Sequence, residues 1–305
     1  MNLKYRILWI ENEEDWVESI EDQIQEYLED LGFIYEKKLI TKEEKDISYN
    51  DYDLILMDLN LAEQPNGAEL TSKIRDLGVY TDVVFYSASG IDELRSKGRE
   101  KELEGVFYSG RTPETAFVNR VKSVIDATLK KVQDLNNLRG LVMAEVSELD
   151  VLMSEILNEY YVLSASEEKT QLFHKHITKS QEQRIKDSLE NCTGKSKMCC
   201  HVWKSMSIDK IIPDLESYSM AKAVNYVIPS DLYKPRKANF LEDYNADIIS
   251  IRNQLAHCKS EIIDGKEVLK TRKGDAQFSD EEFKRVRLNI RKYSDLFKQM
   301  LGSNK

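Results

Sequence analysis

Four short apolar runs alternate with segments of helical period through the first 130 residues, and that alternation leaves few folds open to this part of the chain. The runs are Arg6-Ile7-Leu8-Trp9-Ile10, Tyr52-Asp53-Leu54-Ile55-Leu56-Met57, Asp82-Val83-Val84-Phe85-Tyr86 and Gly105-Val106-Phe107-Tyr108. They are too short for helices and lack the strict in-and-out alternation of a half-exposed strand, so they read as strands buried on both faces. Between them, Trp16 to Leu31, Gly67 to Leu77 and Ile91 to Leu103 carry apolar residues at helical spacing. Strand and helix in repeated alternation, with right-handed crossovers, give an α/β doubly wound parallel sheet. In such sheets ligands gather outside the carboxyl ends of the strands.

Those ends carry Glu11-Asn12-Glu13, Asp58, Ser87-Ala88 and Ser109, with a Pro65-Asn66-Gly67 turn after Asp58. Their order and spacing over residues 3 to 127 resemble the receiver domain of response regulators, a flavodoxin-like fold. The resemblance implies Asp58 as phosphoacceptor, Ser87 and Ser109 as the hydroxyls that sense the phosphoryl group, and Glu11, Asn12 and Asp58 as holders of Mg²⁺. It also implies a histidine kinase or another regulatory protein as partner. Strand alignment puts Ser109 where the family has a phosphate-binding lysine, and Asn12 is neutral where the family has a second acid. Losing a cation beside a phosphoryl group and a carboxylate beside a hard metal weakens both interactions. Arg111 can supply the missing cation only if its loop bends back. An active phosphoreceiver and a pseudo-receiver working through protein contacts both stay open.

Thr112-Pro113-Glu114 is a helix start, with Thr as N-cap and Pro at the first position. From Phe117 the apolar residues keep helical period almost to Leu163, with Gly140 as the expected break. The reading is a first domain over 1–130 and an all-helical second domain over 131–305, joined by a long connecting helix without a Gly/Ser-rich linker. Helices are expected near 136–163, 167–191, 197–206, 214–227, 238–258 and 279–301, with a polar loop or hairpin over 261–277.

Charge separates the halves. Residues 1–130 hold 16 Lys and Arg against 28 Asp and Glu, and residues 131–305 hold 28 against 26. A nucleic-acid partner therefore belongs to the second half. Lys284, Arg285, Arg287, Arg291, Lys292 and Lys298 form a cationic helix there, read first as a solvated face balanced by Asp280, Glu281 and Glu282. Cys192, Cys199, Cys200 and His201 lack the paired spacing of a zinc site, and Gly194-Lys195-Ser196 lacks the first glycine of a phosphate loop. With no long apolar run and no leader peptide, the expectation is a cytoplasmic protein with no membrane partner.

The six residues Arg252-Asn253-Gln254-Leu255-Ala256-His257 follow an amphipathic stripe at 241, 244, 248, 251 and 255. They put a fixed cation, an amide and a titratable base within about one and a half helical turns. An arginine grips phosphate through parallel hydrogen bonds, and an imidazole exchanges protons near neutral pH. The bland alternative is a salt bridge from Arg252 to Asp247 or Glu242, with His257 as a C-terminal charge. Late in a helical domain, the Arg-Asn-x3-His pattern resembles the HEPN superfamily of endoribonucleases. That resemblance implies a homodimer that brings two copies together, RNA as substrate, no cofactor for cleavage, and a toxin-like role in stress response or phage defence. Arg252, Asn253 and His257 would be the catalytic residues, with Glu145 and Glu148 as candidates for orienting His257. A non-catalytic signalling adaptor is the competing reading, with the helical motif serving dimer contact or nucleotide binding. A DNA-binding regulator is disfavoured for want of a short recognition helix.

Overall fold

The computed structural model describes residues 3–44, 46–62, 65–132, 135–164, 166–189, 206–229, 232–233, 238–257, 259–263, 266–271, 274–276 and 279–302. The chain divides into two compact units, Met1–Leu141 and Val142–Lys305.

In the first unit β1 (Lys4–Ile10), α1 (Glu14–Asp30), β2 (Ile34–Ile40), β3 (Leu54–Asp58), α2 (Gly67–Asp76), β4 (Val83–Ser87), α3 (Ile91–Glu100), β5 (Val106–Gly110) and α4 (Glu114–Val132) follow in order. The strands form one five-stranded sheet in the order β2-β1-β3-β4-β5, and every pairing is parallel. This is the flavodoxin-like doubly wound order, with its switch point between β1 and β3. Every residue of β3 and β4 is buried, as continuous apolar runs in a parallel sheet require. One face packs Trp9, Leu56 and Tyr86 under Ile20 and Ile24 of α1 and Phe117 and Val121 of α4. The other packs Leu8, Ile55 and Phe85 under Leu70 and Ile74 of α2 and Leu94 of α3.

The strand missing from the sequence reading is β2, Ile34-Tyr35-Glu36-Lys37-Lys38-Leu39-Ile40. It pairs only with β1, and a charged, half-buried strand is what a sheet edge tolerates. The crossover from β2 to β3 carries a single 3₁₀ turn, Tyr49–Asp51, in place of a helix. Gly67 opens α2 hard against the end of β3: a Cβ there would lie 2.0 Å from the Asp58 carbonyl oxygen.

A 29-residue helix, α5 (Leu135–Leu163), follows α4. The apolar spacing predicts a break at Gly140, but Gly140 lies inside α5. The join between α4 and α5, at 133–134, lies outside the described residues.

The second unit continues with α6 (Glu167–Leu189), α7 (Ile208–Ile211), α8 (Ser217–Val227), α9 (Phe240–Tyr244), a π turn (Asn245–Ile249), α10 (Ser250–Ala256) and α11 (Asp280–Gly302). The region read as a loop or hairpin holds β6 (Lys259–Ile263), β7 (Lys266–Thr271) and β8 (Gly274–Ala276), an antiparallel sheet. The second unit is therefore mostly helical, not wholly so. Its core includes an aromatic group in which Tyr244 meets Tyr293 edge-on at 4.9 Å, with Phe240 and Phe297 around them. The expected helix over 197–206, the Cys192, Cys199, Cys200 and His201 group and the Gly194-Lys195-Ser196 segment fall almost wholly outside the described residues. Arg287 is buried, so the cationic helix is not a uniformly solvated face. Among the described residues no helix is long and apolar enough to cross a membrane.

Candidate functional site

Parallel strands β1, β3, β4 and β5 deliver Glu11, Asp58, Ser87 and Arg111 to one mouth of the sheet, and all four are buried. Glu11 is completely enclosed, yet each of its oxygens has a partner. The Glu13 backbone N–H donates to its Oε1 at 2.9 Å. The Tyr86 hydroxyl donates to its Oε2 at 3.1 Å and itself accepts from Trp9 Nε1 at 2.8 Å. Burial of a carboxylate is costly unless such donors replace water, and here the sheet supplies them.

Asp58 accepts on Oδ2 from the Asn60 backbone N–H at 2.9 Å, and the Leu59 backbone N–H also bonds its carboxyl. Burial first, and then the negative charge of Glu11, push its carboxyl up to about 7, against the downward pull of the Asn60 N–H and the Arg111 charge. Ser87 Oγ accepts from Asn60 Nδ2 at 3.0 Å and from the Ser89 N–H at 3.0 Å. Asn60 thus ties the Asp58 carboxylate to the Ser87 hydroxyl. Ser109 is buried, but its hydroxyl donates to the adjacent Gly110 carbonyl at 3.0 Å.

The cation comes from Arg111. The Arg111 backbone N–H donates to the Ser87 carbonyl at 3.0 Å, the next rung of the β4–β5 ladder after the Ser87–Gly110 pair. Its Nη1 lies 4.0 Å from Glu11 Oε2. Nη1 and Nη2 also grip both oxygens of Glu13, at 2.8 and 2.7 Å, and the guanidinium sits 4.2 Å from the centre of the Trp16 ring. These two hydrogen bonds hold the Glu13 carboxyl below the usual carboxylate range. Arg111 thus reaches Glu11 and Glu13 from the end of β5, where the sheet ladder continues.

The donors for a divalent cation are few but of the right kind. Mg²⁺ is commonly held through one or two carboxylates with water completing its shell, and Glu11 and Asp58 meet that minimum. Asn12 Oδ1 is a covered oxygen that takes part in no hydrogen bond. Among the described residues no group of three or more His, Cys, Asp or Glu could hold a metal. The set fits a weakly held Mg²⁺ and not a tight metal cage.

In the second unit, Arg252 and Asn253 lie on α10 and His257 caps its C-terminus. Asn253 and His257 are exposed and Arg252 is half-buried, with its Nη1 donating to Asn253 Oδ1 at 3.1 Å. Asp247, the alternative partner for Arg252, instead accepts from the Tyr293 hydroxyl at 3.0 Å and faces Lys292 at 3.5 Å. Of the acids on α5, Glu148 is exposed and Glu145 is half-buried. Asp150, which the sequence reading passed over, is electrostatically coupled to Arg252. Its Oδ2 accepts from the Ser217 hydroxyl at 2.6 Å. Burial raises its carboxyl, while the Ser217 hydrogen bond and the Arg252 charge oppose the rise.

No family model matches the chain, and no curated protein matches it. Among solved structures the chain is similar to the receiver domain of a Francisella response regulator, at 14% identity over 42% of this chain and 99% of that one, with a TM-score of 0.33. It is similar to the phosphorylated cyanobacterial phytochrome response regulator RcpA, at 18% identity over 40% and 91% of the two chains, TM-score 0.32. A CheY-like receiver domain protein from Methanospirillum hungatei shows 19% identity over 42% and 98%, TM-score 0.31.

Proposed function

We propose that the first unit is a receiver-type signalling module that accepts a phosphoryl group on Asp58, and that the helical unit is its effector. The observation that carries this is Asp58 itself: a buried carboxyl at the switch point of a doubly wound sheet, with Arg111 and Ser87 converging on it. In the reaction an oxygen of ionised Asp58 attacks the phosphorus of a donor, a P–O bond forms, and the donor's leaving group departs with its bonding electron pair. The backbone N–H groups of Leu59 and Asn60 hold the carboxylate in place for that attack. Arg111 offsets charge on the phosphoryl oxygens, and the Ser87 hydroxyl lies within the reach of Asn60 to report their arrival. Glu11 and Asp58 would hold Mg²⁺, which when bound supplies positive charge that favours the ionised form of Asp58. Incubation with acetyl phosphate tests the reading by intact mass. The expected result is the gain of one phosphoryl group, absent in Asp58→Asn; a wild-type protein that gains none overturns it.

For the effector, the half-buried Arg252 bonded to the exposed Asn253, beside the exposed His257, favours metal-independent RNA cleavage in a homodimer. As the 2′-oxygen bonds to phosphorus and the bond to the 5′-oxygen breaks, His257 in the two copies would take the 2′-hydroxyl proton and give one to the departing 5′-oxygen. Arg252 would stabilise the phosphorane oxygens and Asn253 would orient the phosphate or the partner's catalytic groups. The products would be a 2′,3′-cyclic phosphate and a 5′-hydroxyl. Cleavage of a generic RNA in EDTA, abolished by His257→Ala and by Arg252→Ala, is the expected outcome. A folded, phosphorylated protein without cleavage favours the adaptor.

A further inference from the structure

The Glu13 carboxylate occupies the guanidinium that an incoming anion would need. Both terminal nitrogens of Arg111 are bonded to Glu13, at 2.8 and 2.7 Å, in the fork-to-fork geometry that a phosphoryl group would otherwise take. Arg111 is enclosed and stacked on Trp16, whereas the Glu13 side chain is 60% exposed. The cation is therefore fixed in place, and the carboxylate is the partner that can leave for water at little cost. Glu13 is also the residue from which α1 starts, and it makes no side-chain capping bond there. Leaving Arg111 forfeits no cap, while the Glu13 backbone N–H keeps its bond to Glu11 Oε1 at 2.9 Å.

We infer that Glu13 is an internal competitor for the anion site: an oxyanion at Asp58 gains the two-pronged grip of Arg111 only by displacing the Glu13 carboxylate. Glu13 thereby sets the affinity of the pocket for phosphoryl-like ligands. Displacement also changes the charge facing Trp16, because an arginine held by a carboxylate differs from one held by a phosphoryl group bound to Asp58. The inference rests on the receiver reading above and adds to it a residue that determines affinity.

Beryllofluoride with magnesium chloride is the probe, titrated into wild-type protein, Glu13→Gln, Arg111→Ala and the double variant, with binding read by fluorine NMR and by tryptophan fluorescence. Gln keeps the shape and removes the charge, so Glu13→Gln is expected to bind about tenfold more tightly than wild type, consistent with loss of one charge-assisted competitor. Arg111→Ala is expected to bind more weakly, and in its background Glu13→Gln should bring no gain. Equal or weaker binding by Glu13→Gln, with wild type still binding, overturns the competitor and leaves the receiver reading standing. A gain that persists without Arg111 also overturns it. Binding by none of the four proteins, with circular dichroism showing them folded, overturns the receiver reading and the competitor with it.

Discussion

At the residue scale, Asp58 is a buried acid with the negative charge of Glu11 nearby, and the cost of ionising it, burial first, has a sign that can be measured. The Asp58 carboxyl is raised from 3.8 to about 7, so the native state holds a proton that the unfolded chain has already lost across that interval. Stability from this group is full below about 4, falls as pH rises, and is lost above about 7. Asp58→Asn removes the penalty. In urea titrations with EDTA present, the variant should exceed wild type by roughly 2 kcal/mol or more at pH 8 and by little at pH 4. An equal difference at both pH values would show that Asp58 is not strained by ionisation. Asp58, Ser87 and Glu11 were legible in the sequence because parallel strands must deliver their last residues to one mouth. The part played by Arg111 was not, since it stands two positions beyond Ser109 and is held by Glu13 and by the Trp16 ring, partners distant in sequence that no spacing rule announces.

At the scale of elements, strands buried on both faces announced themselves as apolar runs, which is why β1, β3, β4 and β5 could be placed from sequence. The edge strand β2 could not, because one-sided pairing lets Glu36, Lys37 and Lys38 stand in it. The stripe from Leu241 to Leu255 predicted an unbroken helix. The structure inserts a π turn at Asn245–Ile249, with Ile248 and Ile249 both buried and Leu241 half-exposed. Such wide turns admit one extra residue and occur often beside functional groups, here directly ahead of Arg252. The start of α2 rests on Asn66, whose side chain accepts from the Glu69 N–H at 3.0 Å. Asn66→Ala should lower the stability of the first unit by about 1 kcal/mol, read as a shift in the denaturation midpoint without a change in slope. A change below a few tenths would mean that the cap contributes nothing.

At the scale of the whole molecule, the reading requires the state of Asp58 to alter what the helical unit does. RNA cleavage measured with and without acetyl phosphate should differ in wild type and not in Asp58→Ala. An effect that survives in Asp58→Ala would place the trigger elsewhere. The helix α5 begins within the first unit and continues into the second, and it contains one exposed glycine, Gly140. A methyl group there would meet nothing within 4 Å, so no steric demand keeps the position small. Glycine in mid-helix forgoes roughly 0.5 to 1 kcal/mol relative to alanine and is a common place for a helix to kink. Gly140→Ala should therefore raise the melting temperature. If signalling depends on compliance at this point, the same methyl group should leave phosphorylation intact while blunting the response downstream. One inexpensive carbon would then separate a protein that hears its signal from one that acts on it.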